Sequence, residues 1–385
     1  MKASRTLLAA IGDVNDIRTW SGTPYHLLQA ARSVGVIDSG LVLKPAESGR
    51  QRRRYVWNLF QLLRGRGKGG YQFSDPCLSR LWQPLLDDLV GCRVVNCFQL
   101  YPQAVLDDPR IEKWFYIDQT MSHYLTGYGL GTDISPATQR DILRRERDNY
   151  AAAKGVICHS RWAARSVTED CGVPAEKVHV VVPGANLDPA VYARWQAHRE
   201  TASPGMAGPL KLVFVGKAPL RKGLDRLIRA LVLARQAGAD CTLRVIGCTP
   251  DALPPDLREV AGIEWRGFIH KQQDADEYLQ AVADCDVGCL LSYAEAGGMC
   301  LREFHALGLA VIAPDVGGSP DHALDAAACL VGPAASNTEI ADLLIRLARD
   351  RALVQTMQAA SWAQRARMQW PASVQGLARL WSGTP

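Results

Sequence analysis

The length of the chain, 385 residues, exceeds what one hydrophobic core usually holds, so the sequence predicts two domains. Its hydrophobic fraction of 48% and charged fraction of 22% are typical of an ordinary globular protein, and its net charge of +5 is modest. A run of about 18 uncharged apolar residues, which a membrane-spanning helix needs, does not occur. The first residues also lack the apolar core and cleavage site of a signal peptide, so we expect a cytoplasmic protein.

The cysteines favour reduced thiols over disulfides or metal sites. The chain has 11 of them, mostly in apolar strand-like runs such as those around Cys97, Cys158 and Cys289. Cys285 and Cys289 have no second Cys or His pair at zinc-site spacing, so the sequence predicts no metal site.

The first predicted strand covers residues 6–11 and ends at Gly12, as in an open α/β sheet. Thr23 suits a helix N-cap and Pro24 the first helical position, so a helix is predicted over 25–34. The loop ahead of this helix would lie at the carboxyl end of the strand, where α/β folds bind ligands. The alternative is a capped surface helix without a ligand.

A basic and aromatic insertion follows at residues 50–68. It holds seven Lys or Arg and no acidic residue, interleaved with tyrosine, tryptophan, phenylalanine and leucine. This pattern is compatible with peripheral contact with an anionic membrane or an anionic, lipid-linked acceptor. The alternative is a mobile, solvated loop whose Trp57 and Phe60 pack on the domain. Nucleic-acid binding is disfavoured, because no such module accompanies the insertion and the net charge is small.

Strands are predicted again at 93–98 and 114–118, and polar residues follow the second of them. Asp118 ends that strand and His123 comes shortly after it. At the carboxyl end of a strand, a carboxylate or imidazole would point into a ligand cleft. The alternative is a hydrogen-bonded loop aspartate and a surface histidine.

The chain divides near residue 183. A strand at 178–182 ends the first series, and the Pro- and Gly-rich residues 184–209 are predicted to be a hinge or linker. Strands and helices alternate again from residue 210, which implies a second parallel sheet covered on both faces. The sequence therefore predicts two facing Rossmann-like α/β domains, 1–183 and 210–365, with a C-terminal helix over 366–385.

A cationic turn opens the first helix of the second series. Lys217, Arg221 and Lys222 lie between a strand that ends at Val215 and a helix that starts at Gly223. Cations beside a helix N-terminus oppose the helix dipole, so this placement calls for a compensating anion. A nucleotide diphosphate is such an anion; the alternative is a solvated basic turn.

A glycine turn follows the later apolar run 287–291. Gly297 and Gly298 lie between that strand and a helix predicted to start near Met299, so the backbone amides from Gly297 through Met299 and Cys300 to Leu301 suit phosphate binding. Glu295 precedes the turn and Glu303 lies in the second turn of the helix, where carboxylates can accept hydrogen bonds from sugar hydroxyls.

This arrangement resembles the Glu-x7-Glu motif of retaining family 4 glycosyltransferases, which have the GT-B fold. Lys217 and Lys222 resemble the Gly-Arg-x4-Lys-Gly motif of the same family, with Lys217 in place of the usual Arg. The copy also departs from the family pattern where residues 304–306 replace Ala-Met-Ala and Ala310 replaces Pro. The resemblance covers residues 178–331 well and the first domain in outline.

The resemblance implies a metal-independent enzyme without a cofactor, whose donor is a UDP- or GDP-sugar and whose acceptor is a hydroxyl of a glycan, glycolipid or small molecule. It implies that Glu295 and Lys222 act on the donor and that Asp118 or His123 lines the cleft. Gly22 and Thr23 would face the donor diphosphate, and the last helix would cross back to the first domain. The alternatives are a nucleotide-sugar 2-epimerase on the same architecture and a non-catalytic nucleotide-sugar-binding module.

Overall fold

Two parallel sheets, one in each half of the chain, organise the fold. A computed structural model describes residues 5–44, 49–127, 133–201 and 208–382. The chain divides into two compact units: the first unit contains residues 1–183 and 373–385, and the second unit contains residues 184–372.

The described residues of the first unit form eight strands. They are β1 Thr6–Ala9, β2 Gly12–Asp13, β3 Ser39–Gly40, β4 Val42–Leu43, β5 Arg93–Asn96, β6 Glu112–Ile117, β7 Gly155–Cys158 and β8 Val178–Val180. Six of them form a wholly parallel sheet in the order β3-β1-β5-β6-β7-β8, while β2 and β4 pair antiparallel. The order reverses between β1 and β5, which is where such a sheet opens a ligand crevice.

The helices of the first unit cover this sheet. They are α1 Thr23–Arg32, α2 Arg50–Leu63, α3 Asp75–Trp82, α4 Leu86–Leu89, α5 Gln103–Leu106, α6 Met121–Gly127, α7 Pro136–Ala152 and α8 Arg161–Glu169. The core between the layers is mainly aliphatic and contains an aromatic cluster, in which Phe115 packs edge-on to Tyr101 and Tyr150.

Residues 50–63 are a regular helix rather than the loop of the second alternative, whose expected packing of Trp57 is nevertheless present, whereas Phe60 is exposed. The indole Nε1 of Trp57 donates to the carbonyl oxygen of Gly69 at 3.2 Å, and the Asn58 side chain accepts from the Gly69 amide at 3.0 Å. These bonds fix α2 to the chain that follows it.

The second unit repeats the architecture. Its strands are β9 Leu210–Val215, β10 Cys241–Ile246, β11 Ile263–Gly267, β12 Val287–Cys289, β13 Ala310–Pro314 and β14 Ala328–Val331. They form a parallel sheet in the order β11-β10-β9-β12-β13-β14, which is the doubly wound order with its reversal between β9 and β12. The predicted α/β class is confirmed in both units.

The helices of the second unit begin inside the segment predicted to be a linker. They are α9 Pro189–Thr201, α10 Leu224–Gln236, α11 Ala275–Ala283, α12 Met299–Ala306, α13 Ser319–His322, α14 Asn337–Arg349, α15 Arg351–Ala363 and the start of α16 Trp370–Ser382. Tyr192 of α9 donates from its hydroxyl to the Ala306 carbonyl at 2.9 Å, so residues 189–201 form a packed helix rather than an extended linker.

The C-terminal helix α16 returns to the first unit, as predicted. The Ser373 hydroxyl donates to the Val182 carbonyl at 2.7 Å, and the Trp381 ring lies 6.0 Å from that of Trp114. Within the part of the chain that the structure describes, no helix is both long enough and apolar enough to cross a membrane.

Candidate active site

The two motifs of the second unit meet because their strands are neighbours. β9 and β12 are far apart in sequence but pair directly, with Leu212 opposite Val287 and Phe214 opposite Cys289. The two strands run parallel to each other, so the loops that follow them leave the sheet at the same edge. This edge is the reversal point of the strand order, where doubly wound sheets bind ligands.

Backbone contacts hold the two loops against each other. The Tyr293 amide donates to the Arg221 carbonyl at 3.0 Å, and the Leu291 amide donates to the Lys222 carbonyl at 3.3 Å. Gly223 has a φ of +70°, and a Cβ there would lie 2.0 Å from the Leu291 carbonyl oxygen. Only glycine allows this approach, which places Lys222 beside the loop after β12.

The approach creates a buried ion cluster. Glu295 Oε2 lies 3.4 Å from Lys222 Nζ and 3.3 Å from Arg221 Nη1, and it accepts a hydrogen bond from the Ser292 hydroxyl at 3.2 Å. The carboxylate side chain is only 9% exposed. The cluster therefore holds two cations against one anion at the edge of the sheet.

Mutual pairing keeps these groups charged. Burial on its own would raise the pKa of Glu295, but the Lys222 ammonium and the Arg221 guanidinium outweigh it and hold the pKa below its usual value. Burial opposes the charged form of Lys222 in the same way, and the Glu295 carboxylate outweighs it and raises the pKa of Lys222. One net positive charge therefore persists at neutral pH.

The glycine turn lies next to this cluster. Gly298 has a φ of +71° and caps α12, which starts at Met299 as predicted. The Leu301 amide donates to the Gly298 carbonyl at 2.8 Å, so the prediction that this amide binds a phosphate is wrong. The amides of Gly298, Met299 and Cys300 stay candidates.

Gly297, the first glycine of the turn, is in close contact with a neighbouring side chain. A Cβ at this position would lie 2.7 Å from the ring of His322, which is buried at the end of α13. The absence of a side chain at Gly297 is thus required by packing within the unit as well as by any approaching ligand.

Glu303 lies apart from Glu295 on the face of α12 that meets the β11–α11 connection. It is fully buried, accepts a hydrogen bond from the Tyr278 hydroxyl, and lies 2.5 Å from Lys271 Nζ. Burial raises the pKa of Tyr278 well above its usual value, and the adjacent Glu303 carboxylate adds to the effect, so this phenol stays a donor. The carboxylate is thereby fixed in orientation.

Lys217 takes a different direction from Lys222. Its Nζ lies 4.3 Å from the centre of the Phe268 ring, just after β11, in a cation–π contact. Lys222 and Glu295 are therefore in direct contact, whereas Lys217 lies between the loops that follow β9 and β11.

His305 stands where the related motif has a small apolar run, and its contacts are structural. Its Nε2 accepts from the Leu324 amide at 3.1 Å, and its Nδ1 lies 2.8 Å from the Ser361 hydroxyl. Burial lowers the pKa of His305 to about 3, so the ring is neutral and joins α12 to α15.

Gly22 and Thr23 lie where the loop after β1 enters α1. Gly22, with a φ of +88°, is the N-cap and Thr23 the first helical residue, so the prediction of Thr23 as N-cap is wrong by one position. The two preceding residues, Trp20 and Ser21, also have positive φ, 51° and 55°. Such strain in non-glycine residues is common at binding loops, and no sequence pattern predicts it here.

Asp118 and His123 both follow β6, as predicted, but His123 is not a free surface side chain. Its ring stacks on that of Trp162 at 3.8 Å, and burial lowers its pKa, so the neutral form predominates. Asp118 is half-buried at the end of β6. Their role in a cleft stays a prediction.

Several functional candidates were not predicted from the sequence. They are Ser292, Lys271, Tyr278 and Arg226, which donates from its guanidinium to three carbonyl groups around the loops after β12 and β14. The contact of Ser292 with Glu295 is local, whereas the contacts of the other three join segments that are distant in the sequence.

Comparison with known proteins shows that these motifs lie in a segment of the chain that matches a family model. Residues 209–350, which include Lys222, Glu295 and Glu303, match the family model of Glycosyl transferases group 1. D-inositol 3-phosphate glycosyltransferase of Nocardia farcinica is 28% identical over 247 residues, which are 62% of this chain and 54% of that protein. The corresponding protein of Jonesia denitrificans is 34% identical over 156 residues, 37% and 36% of the two chains. The chain thus spans about half the length of the first of these relatives.

Solved structures extend the likeness to the whole chain. Sucrose-phosphate synthase from Thermosynechococcus elongatus has a TM-score of 0.70 at 16% identity, and the match covers 98% of this chain and 99% of that one. The chain has the GT-B fold. Anabaena HepE in complex with UDP and glucose has a TM-score of 0.65, also at 16% identity, over 98% of this chain and 100% of that one. The predicted GT-B architecture is thereby confirmed along the described residues.

Proposed function

We propose that the chain is a glycosyltransferase that moves a sugar from a UDP- or GDP-sugar to an acceptor hydroxyl. The observation that carries the proposal is the buried cluster of Lys222, Arg221 and Glu295 at the reversal point of the second sheet. Its net positive charge lies beside a glycine turn at a helix start, within the segment that matches Glycosyl transferases group 1. A solved GT-B structure of the same fold holds UDP and glucose.

The charge of the cluster fits the chemistry of the donor. When the bond from the anomeric carbon to the diphosphate breaks, negative charge collects on the leaving oxygens. Lys222, Lys217 and the amides at the start of α12 would stabilise this charge as it develops, which is usually the largest contribution to catalysis. The Lys222 ammonium is already oriented, because Glu295 holds it in place.

The two carboxylates would divide the donor between them. Glu295 lies with the phosphate-binding cations, so we assign it to the donor sugar. Glu303 lies on the β11–α11 side of α12, so we assign it to the ribose hydroxyls of the nucleotide. Lys271 and Tyr278 would then orient Glu303 rather than contact the reacting atoms.

Retention of anomeric configuration is the stereochemistry that the family resemblance favours. The acceptor oxygen would attack the anomeric carbon from the side that the diphosphate leaves. One carbon–oxygen bond breaks and another forms, and the acceptor proton passes to an oxygen of the departing diphosphate. Asp118 or His123 of the first unit would position the acceptor.

The cations of the chain would neutralise the diphosphate without a divalent metal ion. Lys222 and Arg221 carry fixed positive charge next to the glycine turn, which is the task that magnesium performs at many other phosphate sites. We therefore expect transfer to continue in the presence of EDTA. A strict requirement for added magnesium or manganese would contradict this part of the proposal.

We propose an acceptor class that is broader than the names of the relatives. The similar proteins from Nocardia and Jonesia are D-inositol 3-phosphate glycosyltransferases, and each match covers little more than half of the relative or less. We therefore propose a hydroxyl of a glycan, glycolipid or small polyol, with inositol phosphate as the first acceptor to test.

A donor screen tests the proposed function. Saturation-transfer NMR with UDP-, GDP- and ADP-sugars identifies the bound donor, and product NMR after addition of acceptors reports transfer and anomeric configuration. We expect binding of a UDP- or GDP-sugar and a retained configuration. Donor converted without any acceptor would indicate an epimerase, and binding without turnover would indicate a binding module. A preference for a phosphate ester without a nucleotide would overturn the proposal.

A further inference from the structure

The helix α2 turns its apolar side to solvent. Six large hydrophobic side chains form what we call the outer face of α2, and all are exposed: Tyr55 by 77%, Val56 by 61%, Leu59 by 60%, Phe60 by 46%, Leu62 by 45% and Leu63 by 78%. At about 3.6 residues per turn these positions share one side of the helix. A contiguous exposed patch of this kind marks an interaction surface more often than chance.

The side of α2 that faces the protein is polar. Gln61 is 4% exposed, and Trp57 and Asn58 hold the helix through hydrogen bonds to Gly69. The helix α14 shows the ordinary arrangement, because it buries Ile340, Leu344 and Leu347. The amphipathic character of α2 is thus inverted relative to a helix that packs on its own domain.

Basic residues lie at both ends of the apolar face. Arg50, Arg52, Arg53 and Arg54 form the first turns, and Arg64, Arg66 and Lys68 follow the last, with no acidic residue between positions 50 and 68. Arg64 lies over the Phe60 ring at 3.9 Å, and Arg66 pairs with Asp141 at 2.7 Å. The segment keeps a strong excess of positive charge, so its partner must be anionic as well as apolar.

An anionic lipid surface matches both properties. The outer face of α2 combines aliphatic and aromatic side chains, which suits a fluid interface that such side chains can enter. Its 14 residues span about 21 Å, too short to cross a bilayer but suitable for lying along it. Cations at both ends could then contact lipid phosphates while the apolar side chains enter the acyl boundary.

We propose that α2 docks the first unit on an anionic bilayer, with its outer face in the boundary between headgroups and acyl chains. The hydrogen bonds of Trp57 and Asn58 to Gly69 fix the helix to the domain, so docking brings the first unit to the surface as a rigid attachment. The proposal does not depend on the reaction proposed above, since no residue of α2 belongs to the donor site.

Vesicle co-sedimentation of the full chain tests the proposal. We expect binding to phosphatidylglycerol-rich vesicles at low salt, little binding to pure phosphatidylcholine vesicles, and weaker binding at high salt because ions screen the arginines. Absence of binding to the anionic vesicles at low salt would overturn the proposal.

Substitutions in α2 locate the contact. The double variant Leu59→Gln, Leu63→Gln keeps helix-forming residues and should lower the partition coefficient by about tenfold or more, since each buried leucine contributes substantially to insertion. Arg52→Gln with Arg54→Gln should lower binding and its salt dependence together. Val34→Gln, at a position 63% exposed in the same unit, is the control and should bind as the wild type does.

Two further outcomes keep the test decisive. If the double leucine variant unfolds by circular dichroism, Leu63→Gln alone at the most exposed position replaces it, and unchanged binding by that folded variant would overturn the proposal. Self-association that the same substitutions abolish, without vesicle binding, would assign the face to a second copy instead. Hydrogen exchange should slow in residues 50–63 on vesicle addition, and no protection there would contradict docking through α2.

Discussion

Among single residues, Glu295 has a double role in the second unit. It pairs with both Lys222 and Arg221, and its carboxylate raises the pKa of Lys222 and so keeps that ammonium charged despite burial. A donor diphosphate would therefore meet a preorganised positive site without first having to rearrange it.

Lys222→Ala should lower kcat by about 100- to 1,000-fold, or roughly 2.7–4 kcal/mol, as removal of one oxyanion-hole donor does. Lys222→Arg should retain more activity because the charge stays. Lys211→Ala, an exposed lysine at the start of β9, is the matched control. The comparison is steady-state kinetics with the donor found in the screen. A Lys222→Ala enzyme within about threefold of the wild-type kcat would rule out the assigned role.

Glu303→Gln should weaken nucleotide diphosphate binding by about 10- to 100-fold, because a hydrogen bond to a charged group contributes a free energy of that size to binding. The amide still offers an oxygen to the Tyr278 hydroxyl, so the fold should be kept. Calorimetric titration with UDP and GDP measures the change. Glu295→Gln is the comparison and should mainly reduce turnover. Unchanged nucleotide affinity in Glu303→Gln would remove Glu303 from the nucleotide site.

How far the sequence could define this site depends on the distance between its parts. Lys222 and Glu295 were found because each belongs to a local turn with a clear physical purpose. The contact of Lys271 with Glu303 was not found, because it requires knowing that the loop after β11 reaches α12. The availability of the Leu301 amide was also misjudged, since it depends on where the first intrahelical bond forms.

Among the elements, the strands with long apolar runs were predicted well and the short or unusual elements were not. The end of β9 at Val215 was predicted correctly, whereas β3 and β4 have two residues each and show no periodicity. α2 has helical periodicity, but the sequence does not state that its apolar side faces outward. The helix α9 lies in a segment whose glycines and prolines favoured a linker.

The helix α7 carries a buried carboxyl group that makes stability depend on pH. Glu146 accepts hydrogen bonds from the Met121 amide and the Tyr150 hydroxyl. Burial outweighs these bonds and raises the pKa of Glu146 from 4.5 to about 7. The folded state therefore binds more protons than the unfolded state between these values. The free energy of unfolding is highest below the unfolded pKa, falls as the pH rises towards 7, and stays reduced above it.

Glu146→Gln should remove this loss, because the amide accepts the same two hydrogen bonds without titrating. The variant should gain stability relative to the wild type as the pH rises from about 5 to about 8. Glu169→Gln, an exposed residue of α8, is the control. Urea unfolding at several pH values provides the measurement. Parallel stability profiles of wild type and Glu146→Gln would show that Glu146 does not titrate in this range.

Across the whole molecule, the two units were predictable because strand and helix patterns alternate twice. The return of the last helix was predicted only through the family resemblance. Its basis is a cluster that no local pattern reveals: Arg93 lies over the Trp381 ring at 4.9 Å, and Trp114 packs edge-on to the same ring.

Trp381→Ala should destabilise the first unit by about 2 kcal/mol, since it removes an aromatic pair and a cation–π contact. Calorimetry should show a lower unfolding temperature for one transition and no change in the other, because the second unit lacks this contact. Gln375→Ala, exposed on the same helix, should leave both transitions in place. An equal shift of both transitions would contradict a local effect.

The first unit is built from two separate segments of the chain, and this has a consequence for its folding during biosynthesis. Residues 373–382, which complete it, are translated after the entire second unit. At about 5–20 residues per second, the ribosome needs roughly 10 to 40 s to make the intervening chain. During this interval the nascent first unit has Arg93 and Trp114 without the Trp381 ring that later covers them. Its final folding step must therefore follow synthesis of the whole second unit and of residues 373–382.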